Sequence, residues 1–175
     1  MEIDETILKV ATDYFGLVQD EKLRVEIADG IEFIRDAAIK NKKFDAILFD
    51  VDSKDVSVGM SCPPKAFVDY SFLETVQSCL SSEGFFILNI VARNKLLRDE
   101  VISNLNKMYK FVASYKVSQD VNEIIFCGKN KISFDEWKNS IKKTSVYLNK
   151  QVKKHTSSKE ILEISSLLEN FKLAI

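Results

Sequence analysis

The sequence predicts an α/β three-layer sandwich built on a mostly parallel sheet and closed by an antiparallel hairpin, and three observations carry that expectation. Strand-like apolar runs alternate with amphipathic helical stripes through residues 23–108. The run at 44–51 places Ala46, Ile47, Leu48 and Phe49 between Asp45 and Asp50, too uniformly apolar for a strand with one wet face and typical of one covered on both sides. Residues 111–117 and 122–127 are rich in β-formers and separated by a short polar turn, the pattern of a hairpin.

The elements follow in order. Asp4 can cap a first helix carrying Ile7, Leu8, Val10, Ala11, Tyr14 and Phe15, with Gly16 as its left-handed stop. Leu23, Val25 and Ile27 alternate as a strand that ends at Asp29-Gly30, and Ile31, Phe33, Ile34, Ala37 and Ala38 then form a helical stripe. After the central strand, residues 51–64 hold Asp52, Ser53, Asp55, Ser57, Gly59, Ser61 and the pair Pro63-Pro64, which predicts a long loop with Pro64 opening the next helix. That helix is expected over 66–80, with Phe67, Val68, Phe72, Leu73, Val76 and Leu80 inward, and Ser82-Glu83-Gly84 turns the chain into a strand at 85–91. Asn94 caps a helix reaching about Met108, and the hairpin follows. The tail is helical twice, through Phe134, Trp137, Ile141, Val146 and Leu148, then through Ile161, Leu162, Ile164, Leu167, Leu168 and Phe171.

Composition bounds the function. At 175 residues with 46% apolar and 29% charged side chains, the chain suits one domain, with residues 1–130 as the α/β unit and 131–175 as a helical tail. A formal charge of -1 provides no global basic field for nucleic acid or an anionic membrane, and the lysines between 131 and 154 read as a solvated helix face. Cys62, Cys79 and Cys127 lack CxxC spacing and read as reduced, buried thiols, while His155, the one histidine, leaves zinc short of ligands, so no metal is expected. The apolar run at 85–92 contains Asn89 and falls far below the ~20 residues that span a bilayer. The acidic N-terminus lacks the basic character of a targeting peptide, and the expectation is a cytoplasmic chain without membrane or nucleic-acid partners.

Ligands of such sheets sit at the carboxyl ends of the strands, where the candidate residues also fall. Glu2 can offer a fork of acceptor oxygens to the two hydroxyls of a ribose, or it is simply a terminal charge. In Ala28-Asp29-Gly30, Asp29 can accept from an adenine amine beside a glycine that admits close approach, or it caps the following helix. Phe49-Asp50-Val51-Asp52-Ser53-Lys54-Asp55 gathers three carboxylates at a central strand end, which suits an amine substrate or a cation, or else forms a solvated acidic loop. Asn89 lies near the end of the next strand.

In order along the chain, Glu2-Ile3-Asp4, Ala28-Asp29-Gly30, the run from Phe44 to Asp50 and Glu83-Gly84-Phe85-Phe86-Ile87-Leu88 resemble the Rossmann-like seven-strand methyltransferase superfamily in its spermidine-synthase-like branch. Gly59-Met60-Ser61-Cys62-Pro63-Pro64 and Val121-Asn122-Glu123-Ile124-Ile125-Phe126-Cys127 sharpen the resemblance to the methyltransferases of elongation factor 1-alpha. That resemblance implies S-adenosylmethionine as methyl donor, a protein amine as acceptor with elongation factor 1-alpha as partner, and a homodimer as one available assembly. It implies that Glu2 holds the ribose hydroxyls and that Asp29 contacts the adenine amine, with Gly30 and Ile31 beside the ring. Asp50 would receive the amine at the reacting end, next to the donor, with Asp52 or Asp55 as a second acid. The alternatives are a non-catalytic scaffold of the same fold and a polyamine aminopropyltransferase. Val56, where the polyamine enzymes carry proline, speaks against the latter.

The family's first strand and glycine-rich loop precede the acidic strand end and cradle the donor's methionine part. The sequence starts at Met1-Glu2, so the resemblance implies an N-terminally truncated form. The missing strand would lie between the strands ending at Glu2 and Asp50, and each buried group it left unpaired would cost roughly 1–3 kcal/mol. Donor binding by this chain is therefore expected to be weak or absent.

Overall fold

A computed structural model describes residues 1–52, 59–117, 121–155 and 167–174. Strands β1 (Phe44–Phe49), β2 (Met60–Cys62), β3 (Leu80–Ala92), β4 (Phe111–Lys116), β5 (Asn122–Gly128) and β6 (Phe171–Leu173) form one sheet in the order β1-β3-β5-β4-β6, with β2 paired to the end of β3. The β1–β3 ladder is parallel; β3–β5, β4–β5, β4–β6 and β2–β3 are antiparallel. The core strands β1, β3 and β4 nevertheless run in one direction, because the expected hairpin places reversed β5 between β3 and β4.

Helices cover both faces. On one, Ile34 and Ala37 of α2 (Gly30–Ile39), Leu73 and Val76 of α3 (Tyr70–Ser78) and Leu105 of α4 (Lys95–Met108) bury Ile47, Phe49, Phe86, Leu88 and Ile125 of the sheet. On the other, Trp137 of α5 (Phe134–His155) packs its ring 5.1 Å from Phe111, 5.3 Å from Phe126 and 5.1 Å from Phe171, forming a second aromatic core. These are the three layers the sequence predicts. α1 (Glu5–Phe15) differs from the other helices: it contributes no buried residue, and Ile7, Tyr14 and Phe15 are exposed. Among the described residues no helix is long and apolar enough to cross a membrane.

Local chemistry sets the helix ends. Asp4 Oδ1 accepts from the Thr6 amide at 2.8 Å, Gly16 ends α1 at φ 70°, Asp69 caps α3, and Asn94 Oδ1 accepts from Leu96 N–H at 2.9 Å to start α4. Ser133 and Glu136 form a reciprocal capping box at α5, the Glu136 amide donating to Ser133 Oγ and the Ser133 amide to Glu136 Oε2.

Five elements depart from expectation. Residues 23–28 supply only a parallel bridge between Ile27 and Glu2, because the amides of Leu23 and Val25 donate instead to the side chains of Asp20 and Gln19. The expected loop at 51–64 ends in β2, which turns back along β3 with Cys62 opposite Val91; Ser53, Asp55, Val56 and Ser57 lie outside the described residues. The helix expected over 66–80 is split, because extended Asp69 ends a 3-10 turn at Lys65–Val68 and caps α3. Ser82-Glu83-Gly84 is a bulge inside β3 rather than a turn before it: the ladder jumps from Phe44–Leu80 to Ala46–Phe85, and a Cβ at Gly84 would stand 2.9 Å from the Phe44 carbonyl oxygen. In the tail, Phe171 belongs to strand β6, drawn to β4 opposite Tyr115, while Ile161, Leu162 and Ile164 lie outside the described residues.

Candidate active site

A cleft of about 780 Å³ lies between the N-terminal segment and β1, whose residues line it from Phe44 to the carboxyl end. On one side, the Glu2 amide donates to the Glu26 carbonyl at 3.1 Å and the Ala28 amide to the Glu2 carbonyl at 2.9 Å, so the bridge delivers Glu2 and Asp29 to the same rim. On the other, β1 delivers Asp50 and Asp52. Glu2, Asp29, Gly30, Asp50 and Asp52 all line the cleft. Ile31 does not share that lining and instead packs against the main core. Phe33, Ile34, Phe49 and Phe67 give the cleft apolar walls; Phe67, assigned to the core by its helical spacing, does both.

Each of three acids is held by a donor. Glu2 Oε1 accepts from the Asp4 amide at 2.9 Å. Asp29 Oδ1 accepts from the Ile31 amide at 2.7 Å and the Glu32 amide at 3.4 Å, so it caps α2 while facing the cleft. A Cβ at Gly30 would meet the Phe67 ring at 3.4 Å, which is how closely the aromatic wall approaches this turn. Asp50 Oδ1 accepts from Asn89 Nδ2 at 2.8 Å, and Asn89 Oδ1 accepts from Asn122 Nδ2 at 3.1 Å. Asn122 was not legible as a site residue from its motif; its signal is register, since it follows from placing β5 beside β3.

The site is electrostatically negative. Cys62 Sγ lies 4.0 Å from Asp50 Oδ1 and donates to the Asn89 carbonyl oxygen at 3.5 Å. Burial, reinforced by the charges of Asp50 and Asp52, pushes the Cys62 thiol up to about 11, so it remains protonated at neutral pH. Behind the site, on the opposite face of β5, Glu123 is buried and grips Arg98 of α4 through Oε2 to Nε at 2.9 Å and Oε1 to Nη2 at 2.7 Å. Burial opposes the Glu123 charge, but Arg98, with Ser114 and Lys116, outweighs it and holds the carboxyl below its usual range.

The spermine/spermidine synthase domain model matches residues 1–161. The chain belongs to that family. Within it, the chain is 39% identical over 176 residues to the eEF1A lysine and N-terminal methyltransferase homolog of Drosophila melanogaster, an alignment covering 99% of this chain and 26% of the relative. The crystal structure of human methyltransferase-like protein 13 in complex with SAH matches with a TM-score of 0.77 and 37% identity, covering 94% of this chain and 75% of that one. Spermidine synthase from Thermotoga maritima, at 17% identity and a TM-score of 0.64, covers 98% of this chain and 55% of that one and shares the fold. This member of the spermine/spermidine synthase domain family spans about a quarter of the length of the first curated relatives it matches.

Proposed function

We propose that the chain carries an S-adenosylmethionine-dependent methyltransferase site for a protein amine, with elongation factor 1-alpha as substrate. The observation that carries this reading is the convergence of Glu2, Asp29 and Asp50 on one cleft of about 780 Å³, within the ~300–1,000 Å³ range of small-molecule sites. The names of the relatives, eEF1A lysine and N-terminal methyltransferase, supply the substrate class.

The lining fits the donor in charge and polarity. Glu2 would take the ribose hydroxyls, Asp29 the adenine amine, and Gly30 with Ile34 and Phe67 the flat face of the ring. Ile31, half-buried next to Gly30, would stand beside the ring with them. When bound, S-adenosylmethionine supplies an electrophilic methyl group on a sulfonium.

Asp50 lines the cleft at the end of β1, and in this reading it would orient the acceptor nitrogen and take its proton directly or through water. That task differs between acceptors. A lysine with a pKa near ~10.4 is free base at pH 7 in a fraction on the order of 10⁻³, whereas an N-terminal amine near ~7.7–8.0 needs far less help. Asp52, exposed one residue past Val51, adds negative charge that attracts either cation.

Mass spectrometry of elongation factor 1-alpha, after incubation with the full chain and millimolar donor, tests this reading. The expected result is 14-dalton increments that fall by about a hundredfold with Asp50→Asn, while Glu2→Ala raises the donor KM. Absence of increments with the factor still captured in a pull-down supports the scaffold alternative, and transfer from decarboxylated donor to putrescine supports the polyamine alternative. Sedimentation of the same preparation tests the homodimer.

A further inference from the structure

We propose that Asn89 and Asn122 are positioning residues for Asp50, forming a donor relay that crosses three strands and fixes which carboxylate oxygen is left for the acceptor amine. The inference rests on the amine-transfer reading above and names residues which that reading does not use.

Register builds the relay. The parallel ladder of β1 with β3 ends at Phe49–Leu88, so Asp50 and Asn89 are the next residues on the same side of the sheet. Across the antiparallel ladder Asn89 faces Ile124, and Asn122 stands one diagonal step farther along β5 on the same face. Asn89 Nδ2 then reaches Asp50 Oδ1 at 2.8 Å, and Asn122 Nδ2 reaches Asn89 Oδ1 at 3.1 Å.

The chemistry fixes the direction. An ionised carboxylate only accepts hydrogen bonds, so Asn89 must turn its NH₂ toward Asp50. Its carbonyl then points at β5, where Asn122 supplies the matching donor. Reversing the Asn89 amide would set oxygen against oxygen at Asp50 and N–H against N–H at Asn122. With Oδ1 engaged, Oδ2 is the acceptor presented to an incoming amine. Neither asparagine titrates, so the relay orients Asp50 without competing for the amine's proton. Asn122→Asp turns the terminal donor into an acceptor, Asn89 reverses to donate to it, and Asp50 meets a carbonyl oxygen in place of N–H.

The full ¹⁵N-labelled chain tests the relay first. The Asn89 side-chain NH₂ resonances, assigned by their loss in Asn89→Ser, are expected to shift in both Asp50→Asn and Asn122→Asp. Methyl transfer then tests the role. Asn122→Asp is expected to lower kcat by about tenfold, to leave both KM values within about twofold and to move the acidic limb of the kcat–pH profile upward. Asn122→Ser, which keeps a hydroxyl donor, is expected to fall between Asn122→Asp and the unsubstituted chain, and it serves if Asn122→Asp fails to fold. Asn89 resonances indifferent to Asp50→Asn overturn the relay. An intact relay with unchanged rate and pH profile in Asn122→Asp overturns the positioning role. An intact relay in a chain that transfers no methyl group upholds the relay and overturns the amine-transfer reading instead.

Discussion

Replacing Arg98 with methionine should expose how much the fold depends on one partly buried charge pair. Arg98 makes two charge-assisted hydrogen bonds to Glu123, at 2.9 and 2.7 Å. Their side chains are 26% and 7% exposed, so the substitution strands a carboxylate that water barely reaches. Breaking a fully buried pair from one side costs about 3–5 kcal/mol, and because the guanidinium end is screened by solvent and Ser114 and Lys116 remain beside Glu123, we expect about 2–3 kcal/mol. The loss should depend on pH. In the unsubstituted chain the Glu123 carboxyl is held below its ordinary value, so its contribution is complete above the unfolded value near ~4.3 and lost as pH falls through the folded one. Without Arg98, burial dominates, the carboxyl shifts upward, and the stranded charge is relieved by protonation on acidification. Urea unfolding at pH 7 and pH 4 should therefore give a large difference between the two proteins that shrinks at the lower pH. Arg98→Met combined with Glu123→Met should recover most of it. A loss below about 1 kcal/mol at pH 7, or one that does not change with pH, refutes the account.

Two further outcomes follow from buried polar atoms. The Tyr109 hydroxyl is buried without a hydrogen-bond partner among the described residues, and burial raises its pKa; Tyr109→Phe keeps the stacking on Phe86 and should raise stability by about 1 kcal/mol in urea, whereas a loss of that size would mean the hydroxyl is satisfied. With its thiol near 11, Cys62 should react with iodoacetamide at pH 8 about a hundredfold more slowly in the folded chain than in guanidinium, and Asp50→Asn should speed it; equal rates in the two states would show the thiol is not shielded.

The legible parts of the fold were those decided locally. Asp4 with Gly16, and Asn94, mark helix ends because one side chain and one backbone angle suffice to start or stop a helix. The apolar run of β1 and the hairpin partners β4 and β5 were legible for a similar reason: period and turn spacing belong to neighbouring residues. What escaped depends on pairing across the chain. Phe171 has helical spacing with Leu167 and Leu168, yet the free edge of β4 and the Trp137 ring draw it into a strand. Residues 82–84 have turn chemistry, yet their neighbours pair on both sides and the polar triplet is accommodated as a bulge. Asp69 divides an otherwise continuous apolar stripe because its carboxylate satisfies the Ser71 amide and hydroxyl more directly than a helix interior would allow.

The candidate site shows why structural and ligand-facing readings of an acid need not compete. Asp29 reads as either a helix cap or a contact for an adenine amine; the structure shows the cap, with Oδ1 accepting from the Ile31 amide, and sets it at the cleft rim, where the proposed adenine contact would need it. Glu2 is anchored in the same way through the Asp4 amide, and Asp50 through Asn89. Three acids from separate segments thus each use one oxygen on a donor supplied by the fold. Ordering these side chains is accomplished on folding, which would lower the entropy lost on forming the proposed ribose, adenine and amine contacts. Two of the three anchors are amides within two residues of the acid and can be inferred from cap chemistry alone. The third reaches Asp50 from a strand 39 residues away and depends on the β1–β3 register. That is why Asp50 was legible from its motif and Asn89 as a polar residue near a strand end, whereas their pairing and the part of Asn122 were not.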